Sequence, residues 1–363
     1  MICTYEILDV HLLLDAEEEL LATFDLLYGA FRVESPESED RVPSVPIRVA
    51  EDGDRARIES PWGEATCAKE DAIVLLMFLM QNHLLRSVLN YFAVHAACLE
   101  VSGKGVILTG TSTAGKSTLA AELFRRGWTV YSDEIAAVHR ADCRVHAYPR
   151  AMALRPASLE LVPLPASCTV TELALADELK AVVQISGPGD RAPGMSAPAS
   201  AVAFLIPPRE GEGENSGEKA LEVFAPEFAK EFFGALGDLE GVIRVEPIEG
   251  NFYPGIRIFH RTGILISAAV DEAAARTNTF LAAHQRGARA PIDYGLSPRC
   301  IELPARTGIE MLLGNILNMR VLMAKEGPAK MMFELSRALE GVRFYEIVPG
   351  RLNETAELVE SLV

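Results

Sequence analysis

The fold is decided by residues 106–134, which read VILTGTSTAGKSTLAAELFRRGWTVYSDE. Val106–Thr109 are apolar or β-branched and favour a strand. After a glycine-rich run, Lys116–Arg126 carries leucines at helical spacing, and Gly127 suits the C-cap of that helix. Trp128–Tyr131 predicts the next strand. The segment therefore predicts the order strand, glycine-rich loop, helix and strand, which is the unit of an α/β fold.

The glycine-rich loop fits the phosphate-binding pattern G-x-x-x-x-G-K-[ST] at every position. Its residues and the one that follows are Gly110, Thr111, Ser112, Thr113, Ala114, Gly115, Lys116, Ser117 and Thr118. Glycines let the backbone bend so that successive N–H groups face an anion at the positive end of the next helix. In such loops the lysine, here Lys116, reaches the β- and γ-phosphates, and the hydroxyl of Ser117 is a ligand of Mg²⁺. The loop predicts a site for ATP and Mg²⁺.

Two acidic residues follow the strand after the predicted helix. A nucleotide site needs a carboxylate near its metal at this position. Asp133 and Glu134 come directly after Trp128–Tyr131. Ligands of open α/β sheets gather at the carboxyl ends of the strands, and the crossover brings this end back beside the loop. The alternative is an acidic turn that caps a strand. We expect Asp133 and Glu134 to lie near the metal.

Three further charged or titratable residues are candidates. His95 lies on the incoming strand, Phe92–Val101, and is either a catalytic or a structural histidine. Arg150 and Arg155 follow the sheet. They could neutralise transferring phosphate or pair with the excess of acidic groups.

One histidine and cysteine cluster has the spacing of a zinc site. His139, Cys143 and His146 could hold zinc, although Arg140, Asp142 and Arg144 fill the gaps and no fourth ligand follows nearby. A strand–turn–strand connection is the favoured interpretation. The six cysteines form no Cys-x-x-Cys pair, which predicts reduced thiols.

Charge and hydropathy exclude some classes of partner. The formal net charge of -17 argues against binding to nucleic acid or to anionic membranes, because both rely on attraction between phosphate and Lys or Arg. The longest apolar run, Ala72–Met80, is shorter than the roughly 20 residues that cross a bilayer. These features predict a cytoplasmic protein that binds neither nucleic acid nor membrane.

Length and composition shifts predict four regions in the 363 residues. They are a small N-terminal α+β unit (1–90), a core that carries the glycine-rich loop (91–206), an inserted α+β subdomain or extended loops (207–300), and a C-terminal helical part of the core (301–363). Other predicted elements are a helix over Lys69–Phe92, a strand over Ala201–Ile206 and a helix over Asp271–His284.

Several short motifs together resemble a known family. They are His95-Ala96-Ala97, Gly110–Thr118, Arg126-Gly127-Trp128, Ser132-Asp133-Glu134, Tyr148-Pro149-Arg150 and, in the tail, Phe344-Tyr345-Glu346 and Leu352-Asn353-Glu354. The series resembles the HPr kinase/phosphorylase C-terminal domain, and more closely the HPr-kinase-related proteins that share its P-loop kinase core without the regulatory N-terminal domain. The resemblance implies a fold similar to the nucleotide-binding domain of phosphoenolpyruvate carboxykinase. It also implies ATP-dependent phosphorylation of a serine hydroxyl on a protein.

The resemblance also implies roles for individual residues. His95 falls on a histidine of the family's active site, Asp133 on the acid that deprotonates the acceptor hydroxyl, and Glu134 on an acid beside the metal. The family more often has Asp-Asp at the last two positions. Its glycine-rich second signature is not visible, and Arg150–Glu160 stands in its place. This departure argues against HPr as the substrate, and the genomic setting of such relatives implies a peptide or protein acceptor.

The sequence thus predicts a kinase that holds Mg-ATP at Gly110–Ser117 and activates an acceptor hydroxyl with Asp133. Lys116 and Arg155 would stabilise charge on the transferring group. The alternatives are a module that senses ATP without transferring phosphate, a kinase of a small hydroxylated metabolite, and a nucleotide hydrolase. A homo-oligomer is left open.

Overall fold

A computed structural model describes most of the chain. The described residues are 1–34, 43–61, 63–111, 114–175, 178–185, 192, 194–206, 219–224, 228–248, 255–261, 265–277, 283–286 and 292–363. The chain divides into two compact units. The first comprises Met1–Gly110, Gly115–Ile206 and Asp293–Val363, and the second comprises Thr111–Ala114 and Pro207–Ile292. Ser112 and Thr113 lie outside the described residues.

The first unit begins with a six-stranded sheet and two helices. Its elements are β1 (Ile2–Ile7), β2 (Val10–Asp15), α1 (Glu18–Tyr28), β3 (Arg32–Val33), β4 (Ser44–Asp52), β5 (Arg55–Ser60), β6 (Gly63–Ala68) and α2 (Ala72–Ser87). The strands lie in the order β3-β1-β2-β4-β5-β6, with β2 and β4 parallel. Burial alternates along β4 and β5, so that one face of the sheet packs into a core with Phe24 and Leu76 of the two helices.

The helix predicted over Lys69–Phe92 is too long at its C-terminal end, because α2 stops at Ser87. The carboxylate of Asp9 accepts hydrogen bonds from the backbone N–H groups of Leu89 (3.3 Å) and Asn90 (3.0 Å). Because these two N–H groups bond to Asp9, Leu89 and Asn90 do not continue the helix, and the next strand begins directly after them. The leucine pattern alone did not show this tertiary contact.

Residues 91–146 form the strands on either side of the glycine-rich loop. The elements are β7 (Tyr91–Val101), β8 (Lys104–Gly110), α3 (Lys116–Arg125), β9 (Thr129–Ser132), β10 (Ile135–His139) and β11 (Arg144–His146). β7 pairs antiparallel with β8, β9 and β10, and β10 pairs antiparallel with β11. Strand, loop, helix and strand follow in the predicted order. The favoured strand–turn–strand connection between His139 and His146 is confirmed.

The chain continues with β12 (Met152–Leu154), α4 (Pro156–Leu161), β13 (Cys168–Leu175), β14 (Glu178–Ile185) and β15 (Ser196–Leu205). β12, β14 and β13 form a three-stranded antiparallel sheet, and β15 runs parallel to β8. The strand predicted over Ala201–Ile206 starts five residues too late, since β15 already begins at Ser196. Its first residues pair with β11, where Arg144 lies opposite Pro198, and this pairing overrides the loop-like composition.

The second unit has a four-stranded antiparallel sheet and two helices within its described residues. The elements are β16 (Lys219–Phe224), α5 (Lys230–Gly237), β17 (Val242–Ile248), β18 (Gly255–His260), α6 (Leu265–Arg276) and β19 (Ala283–Arg286). The order is β17-β18-β16-β19. The helix predicted over Asp271–His284 is wrong at both ends, because α6 runs from Leu265 to Arg276 and His284 lies in β19 opposite Val223.

The C-terminal segment returns to the first unit. It contains β20 (Arg299–Leu303), α7 (Ala305–Leu313), α8 (Met319–Glu326), α9 (Pro328–Ala338), β21 (Arg343–Val348) and α10 (Leu352–Glu360). β21 lies parallel to β15, which gives the order β11-β10-β7-β8-β15-β21-β20 with β9 on β7. The chain is thus a mixed α/β protein with several sheets, as the sequence predicts. None of the described helices is both long and apolar enough to span a bilayer.

The C-terminal segment also holds α3, the helix that follows the glycine-rich loop, in place. Glu122 of α3 is 1% exposed and accepts hydrogen bonds from Arg125 (2.6 and 2.7 Å) and Arg126 (2.8 Å). Arg126 pairs in addition with Glu360 of α10 at 3.0 Å. A buried carboxylate with several charge-assisted hydrogen bonds holds its partners firmly. The C-terminal end of α3 is therefore anchored to the tail.

Asn318 joins the tail to β7 through a fully buried side chain. Its Oδ1 accepts a hydrogen bond from the backbone N–H of Ala93 (3.0 Å), and its Nδ2 donates to the carbonyls of Val88 (3.0 Å) and Tyr91 (2.8 Å). Asn318→Leu keeps the size of the side chain but leaves these three main-chain groups, two of them in buried hydrogen bonds, without this partner.

We expect Asn318→Leu to lower the free energy of unfolding by about 2–4 kcal/mol, because each buried polar group left unpaired costs about 1–3 kcal/mol. Urea denaturation would measure the change. The control is Asn82→Leu, which removes one hydrogen bond within α2 from a partly exposed side chain. A loss for Asn318→Leu no larger than that of the control would contradict the prediction.

Candidate active site

The glycine-rich loop leaves β8 at Gly110 and enters α3 at Lys116. Gly115 has φ +84° and ψ 12°, in the left-handed region that glycine adopts without strain. The first hydrogen bond of the helix runs from the N–H of Leu119 to the carbonyl of Gly115 (2.9 Å). The preceding N–H groups are those that a helix leaves without intrahelical partners and that bind anions. In the second unit, the N–H of Ala114 donates to the carbonyl of Thr111 at 3.2 Å.

The Lys116 ammonium is buried at the start of α3. The residue is 7% exposed, and its Nζ donates a hydrogen bond to the carbonyl of Gly110 at 2.9 Å. Burial lowers the pKa of Lys116 to about 8, although the negative charges of Glu134 and Asp133 act to raise it. The side chain is therefore held next to the loop and within the field of both carboxylates.

Ser132 orients the two acidic residues after β9. Its Oγ accepts hydrogen bonds from the N–H groups of Glu134 (3.1 Å) and Ile135 (2.9 Å). This local side-chain turn ends one strand and starts the next. Asp133 is 5% exposed, and its Oδ2 accepts a hydrogen bond from the N–H of Ala153 in β12 (3.2 Å). The backbone thus fixes both carboxylates at the end of β9.

Glu134 forms an ion pair with Arg150, which is itself buried. Burial would raise the pKa of Glu134, but the charges of Arg150 and Lys116 and the hydrogen bond from Arg150 hold it below its ordinary value. The Arg150 guanidinium also lies over the ring of Tyr28, 5.6 Å from its centroid. Of the two arginines that the sequence singled out, Arg150 is the one that joins the carboxylates.

His95 lies opposite Ile135 in the β7–β10 pair, next to Glu134. Its carbonyl accepts a hydrogen bond from Thr109 Oγ1 (3.0 Å), and its ring bonds to the main chain of Glu134. Burial, together with the charge of Lys116, lowers the pKa of His95 to about 4. The imidazole is therefore neutral near pH 7. We call His95, Lys116, Asp133, Glu134 and Arg150 the loop cluster.

The low pKa of His95 predicts an acid-sensitive fold. An ordinary histidine has a pKa of 6.5, so between pH 6.5 and pH 4 the unfolded chain binds a proton that the folded chain does not. Acidification through this window lowers stability, and the contribution is absent above pH 6.5. His83, whose pKa burial also lowers to about 4, acts in the same direction.

We expect His95→Gln to reduce the loss of unfolding free energy between pH 6.5 and pH 4 by about 2 kcal/mol, and His95→Gln combined with His83→Gln to reduce it further. Urea denaturation at a series of pH values measures the difference from wild type. An unchanged pH dependence in both variants would show that the two rings titrate normally.

The other predicted residues lie around the first turn of α3. Ser117 is partly exposed, whereas Thr118 is buried, with its Oγ1 2.9 Å from the Oγ of Ser158 in α4 and in a hydrogen bond with Tyr294. Arg155 is exposed and directly precedes α4. The sequence did not indicate Ser158 or Tyr294, because neither belongs to a pattern around the loop.

A family model matches residues 86–154, which include β7, the loop, α3, β9 and every member of the loop cluster. The match is to the HPr Serine kinase C-terminal domain. The resemblance predicted from the short motifs is confirmed over this segment.

Several HPr kinase/phosphorylases are similar to part of the chain. The HPr kinase/phosphorylase of Nitrosomonas europaea is 37% identical over 65 residues, which cover 18% of this chain and 20% of that protein. The one from Lactobacillus delbrueckii subsp. bulgaricus is 31% identical over 98 residues, 27% of this chain and 29% of that protein. The one from Pelodictyon phaeoclathratiforme is 40% identical over 50 residues, 14% of this chain and 15% of that protein. The chain thus spans less than a third of the length of each of these relatives.

Proposed function

We propose that this chain is an ATP-dependent kinase that transfers the γ-phosphate to a hydroxyl group, that of a Ser or Thr on a peptide or protein. The observation that carries the proposal is the buried ammonium of Lys116 beside Gly110, in the field of Asp133 and Glu134. A cation that neutralises phosphate and an acid that takes a proton are the two parts that phosphoryl transfer requires. A protein that only binds ATP needs no base.

We assign a role to each member of the loop cluster. The loop from Gly110 to Ser117 holds the triphosphate, and Lys116 stabilises charge on the transferring group. Asp133 accepts the proton of the acceptor hydroxyl. Arg150 positions Glu134 through their ion pair. His95 is neutral near pH 7, so it acts as a hydrogen-bonding group rather than as a cation.

The donor set suits Mg²⁺, which prefers oxygen ligands. Ser117 offers a hydroxyl from the first turn of α3, and Asp133 and Glu134 offer carboxylates that the Ser132 turn holds in place. These three residues would hold the ion. Bound Mg²⁺ would supply positive charge against the β- and γ-phosphates.

We propose a P-loop kinase core formed by residues 91–206 and completed by residues 301–363, with residues 1–90 and 207–300 as additional parts. The matched segment, 86–154, contains the machinery for ATP. Recognition of the acceptor is therefore assigned to residues outside it. Arg150–Glu160 stands where HPr kinases have their second signature, which favours an acceptor other than HPr.

The test is transfer of label from γ-labelled ATP with Mg²⁺. Separate reactions would contain HPr, a pool of Ser- and Thr-containing peptides with proteins, and a pool of hydroxylated metabolites. We expect label on the peptides or proteins. Label only on metabolites would overturn the acceptor class, and free phosphate alone would indicate a hydrolase. Stabilisation by ATP without any transfer would indicate a sensing module.

A further inference from the structure

The turn between β10 and β11 gathers two imidazoles and one carboxylate. Nδ1 of His139 lies 3.0 Å from Oδ1 of Asp142, and Nε2 of His146 lies 2.9 Å from Oδ2 of the same carboxylate. One ligand atom from each of the three side chains lies within 4.8 Å of the others. Among the residues that the structure describes, no other three His, Cys, Asp or Glu side chains come together in this way.

The sequence pointed to Cys143 as the third member, and the backbone shows why Asp142 takes its place. Cys143 has φ +59°, so the chain reverses at this residue. Its side chain packs against the apolar core of the large sheet rather than joining the two rings. The N–H of Arg144 donates to Oδ1 of Asp142 (2.9 Å), which turns the carboxylate towards the histidines.

The two arginines in the turn are held away from the cluster. Arg140 pairs with Glu326 (2.8 Å) and Glu334 (2.6 Å) of the tail. Arg144 donates hydrogen bonds to the Oγ (2.9 Å) and the carbonyl (2.8 Å) of Ser196. Because both arginines pair with other residues, they do not occupy the space between the two imidazoles and the carboxylate.

A neighbouring aromatic ring orients both imidazoles. The centroid of the Tyr91 ring lies 4.8 Å from that of His139 and 5.4 Å from that of His146. The side chains of His139 and His146 are 24% and 19% exposed, so the cluster is supported on one side and reachable from solvent on the other. Preorganised ligands with an access path are what a metal site requires.

We propose that His139, Asp142 and His146 bind one divalent transition-metal ion, with Zn²⁺ as the representative case. Without a metal, Nδ1 of His139 and Nε2 of His146 face the carboxylate, and Nδ1 of His139 also accepts a hydrogen bond from the N–H of Asp142 (3.4 Å). A metal ion would take a lone pair from each of these two nitrogens, with the ring proton on the other nitrogen of each imidazole, and one carboxylate oxygen. Zinc bonds of about 2.0–2.2 Å need only a small approach of the three side chains. Two imidazoles favour Zn²⁺ over Mg²⁺ or Ca²⁺.

Three protein ligands leave the fourth position of a tetrahedral site for water or an external ligand. This site is separate from the proposed ATP site, since it uses none of the residues of the loop cluster. The metal-binding proposal can therefore hold or fail independently of the kinase proposal.

The test is equilibrium dialysis of the full chain against buffered Zn²⁺, without nucleotide and with excess Mg²⁺ to saturate sites made of oxygen ligands. We expect His146→Gln and Asp142→Asn each to weaken Zn²⁺ binding by at least about tenfold. Cys143→Ser is the matched control and should bind as wild type. Circular dichroism would establish that the variants fold.

A second measurement uses wild-type protein and does not depend on variants. Co²⁺ in the site should give the visible spectrum of a nitrogen and oxygen set, without a thiolate charge-transfer band. The proposal is overturned if His146→Gln and Asp142→Asn bind Zn²⁺ as wild type does, if Cys143→Ser loses binding, or if Co²⁺ shows the thiolate band.

Discussion

Lys116→Met is expected to abolish stabilisation by ATP and to lower phosphoryl transfer by at least about 10²–10³-fold, while the protein without nucleotide becomes more stable. Methionine fills a similar volume but carries no charge. Removing one electrostatic contact to a reacting group typically costs about 10²–10³-fold in rate. The stabilisation lost would be about 2.7 kcal/mol at an ATP concentration of 100 times Kd.

The gain in stability follows from the pKa of Lys116. Burial lowers it from 10.5 to about 8, so below pH 8 the folded chain keeps a charged group in an environment that disfavours it. This penalty is fully present at every pH below 8 and declines as the pH rises from 8 to 10.5. Allowing for the lost hydrogen bond to Gly110, we expect Lys116→Met to raise the free energy of unfolding at pH 7 by about 2 kcal/mol.

Urea denaturation with and without Mg-ATP measures both effects of Lys116→Met. The control is Lys104→Met, which changes an exposed lysine at the start of β8. It should leave the response to ATP intact. If Lys116→Met is stabilised by ATP as wild type is, the loop does not bind the phosphates through this residue.

Asp133→Asn is expected to lower kcat by about 10²–10⁴-fold, because it removes the base. It should weaken Mg-ATP binding much less than it lowers kcat, because the amide oxygen can still face the metal and the other two proposed ligands, Ser117 and Glu134, are unchanged. Asparagine can still accept the hydrogen bond from the Ala153 N–H through its side-chain oxygen, so the turn should keep its shape. Label transfer measures the rate, and thermal stabilisation by Mg-ATP measures binding.

The control for Asp133→Asn is Asp54→Asn, an exposed acid in the hairpin turn between β4 and β5. A kcat within a few-fold of wild type for Asp133→Asn would remove Asp133 from the role of base. A loss of ATP stabilisation as large as the loss of kcat would show that Asp133 acts through the metal alone and not as the base.

The sequence predicts the order of the elements around the glycine-rich loop well, because that order is local. The loop, α3, β9 and the two acids lie within residues 106–134, and each element has its own signal: apolar strand residues, glycines, helical spacing and a C-cap. Gly115 in its left-handed conformation and the Ser132 turn are short-range features of the same kind. The family model of the HPr Serine kinase C-terminal domain matches residues 86–154, which contain this region.

The contacts that the sequence could not supply join distant parts of the chain. The pairing of β7 with β10 places His95 next to Glu134. Arg150, which follows β11 in the chain, forms an ion pair with the carboxylate of the same Glu134. Sequence reasoning assigned the stabilisation of charge to Arg155 rather than Arg150, because only the fold separates the buried arginine from the exposed one. Composition likewise predicted a loop where β15 begins, since it does not report the pairing with β11.

The strand order has a consequence for how this protein is made in the cell. β8 delivers the loop, its neighbour β15 lies at residues 196–205, and β15 in turn pairs with β21 at residues 343–348. Parallel pairings between segments so far apart form slowly. During synthesis the inner sheet must wait until residues 343–348 have left the ribosome exit tunnel. A nascent chain would therefore expose an unfinished sheet for most of its translation, which makes it a natural client for chaperones.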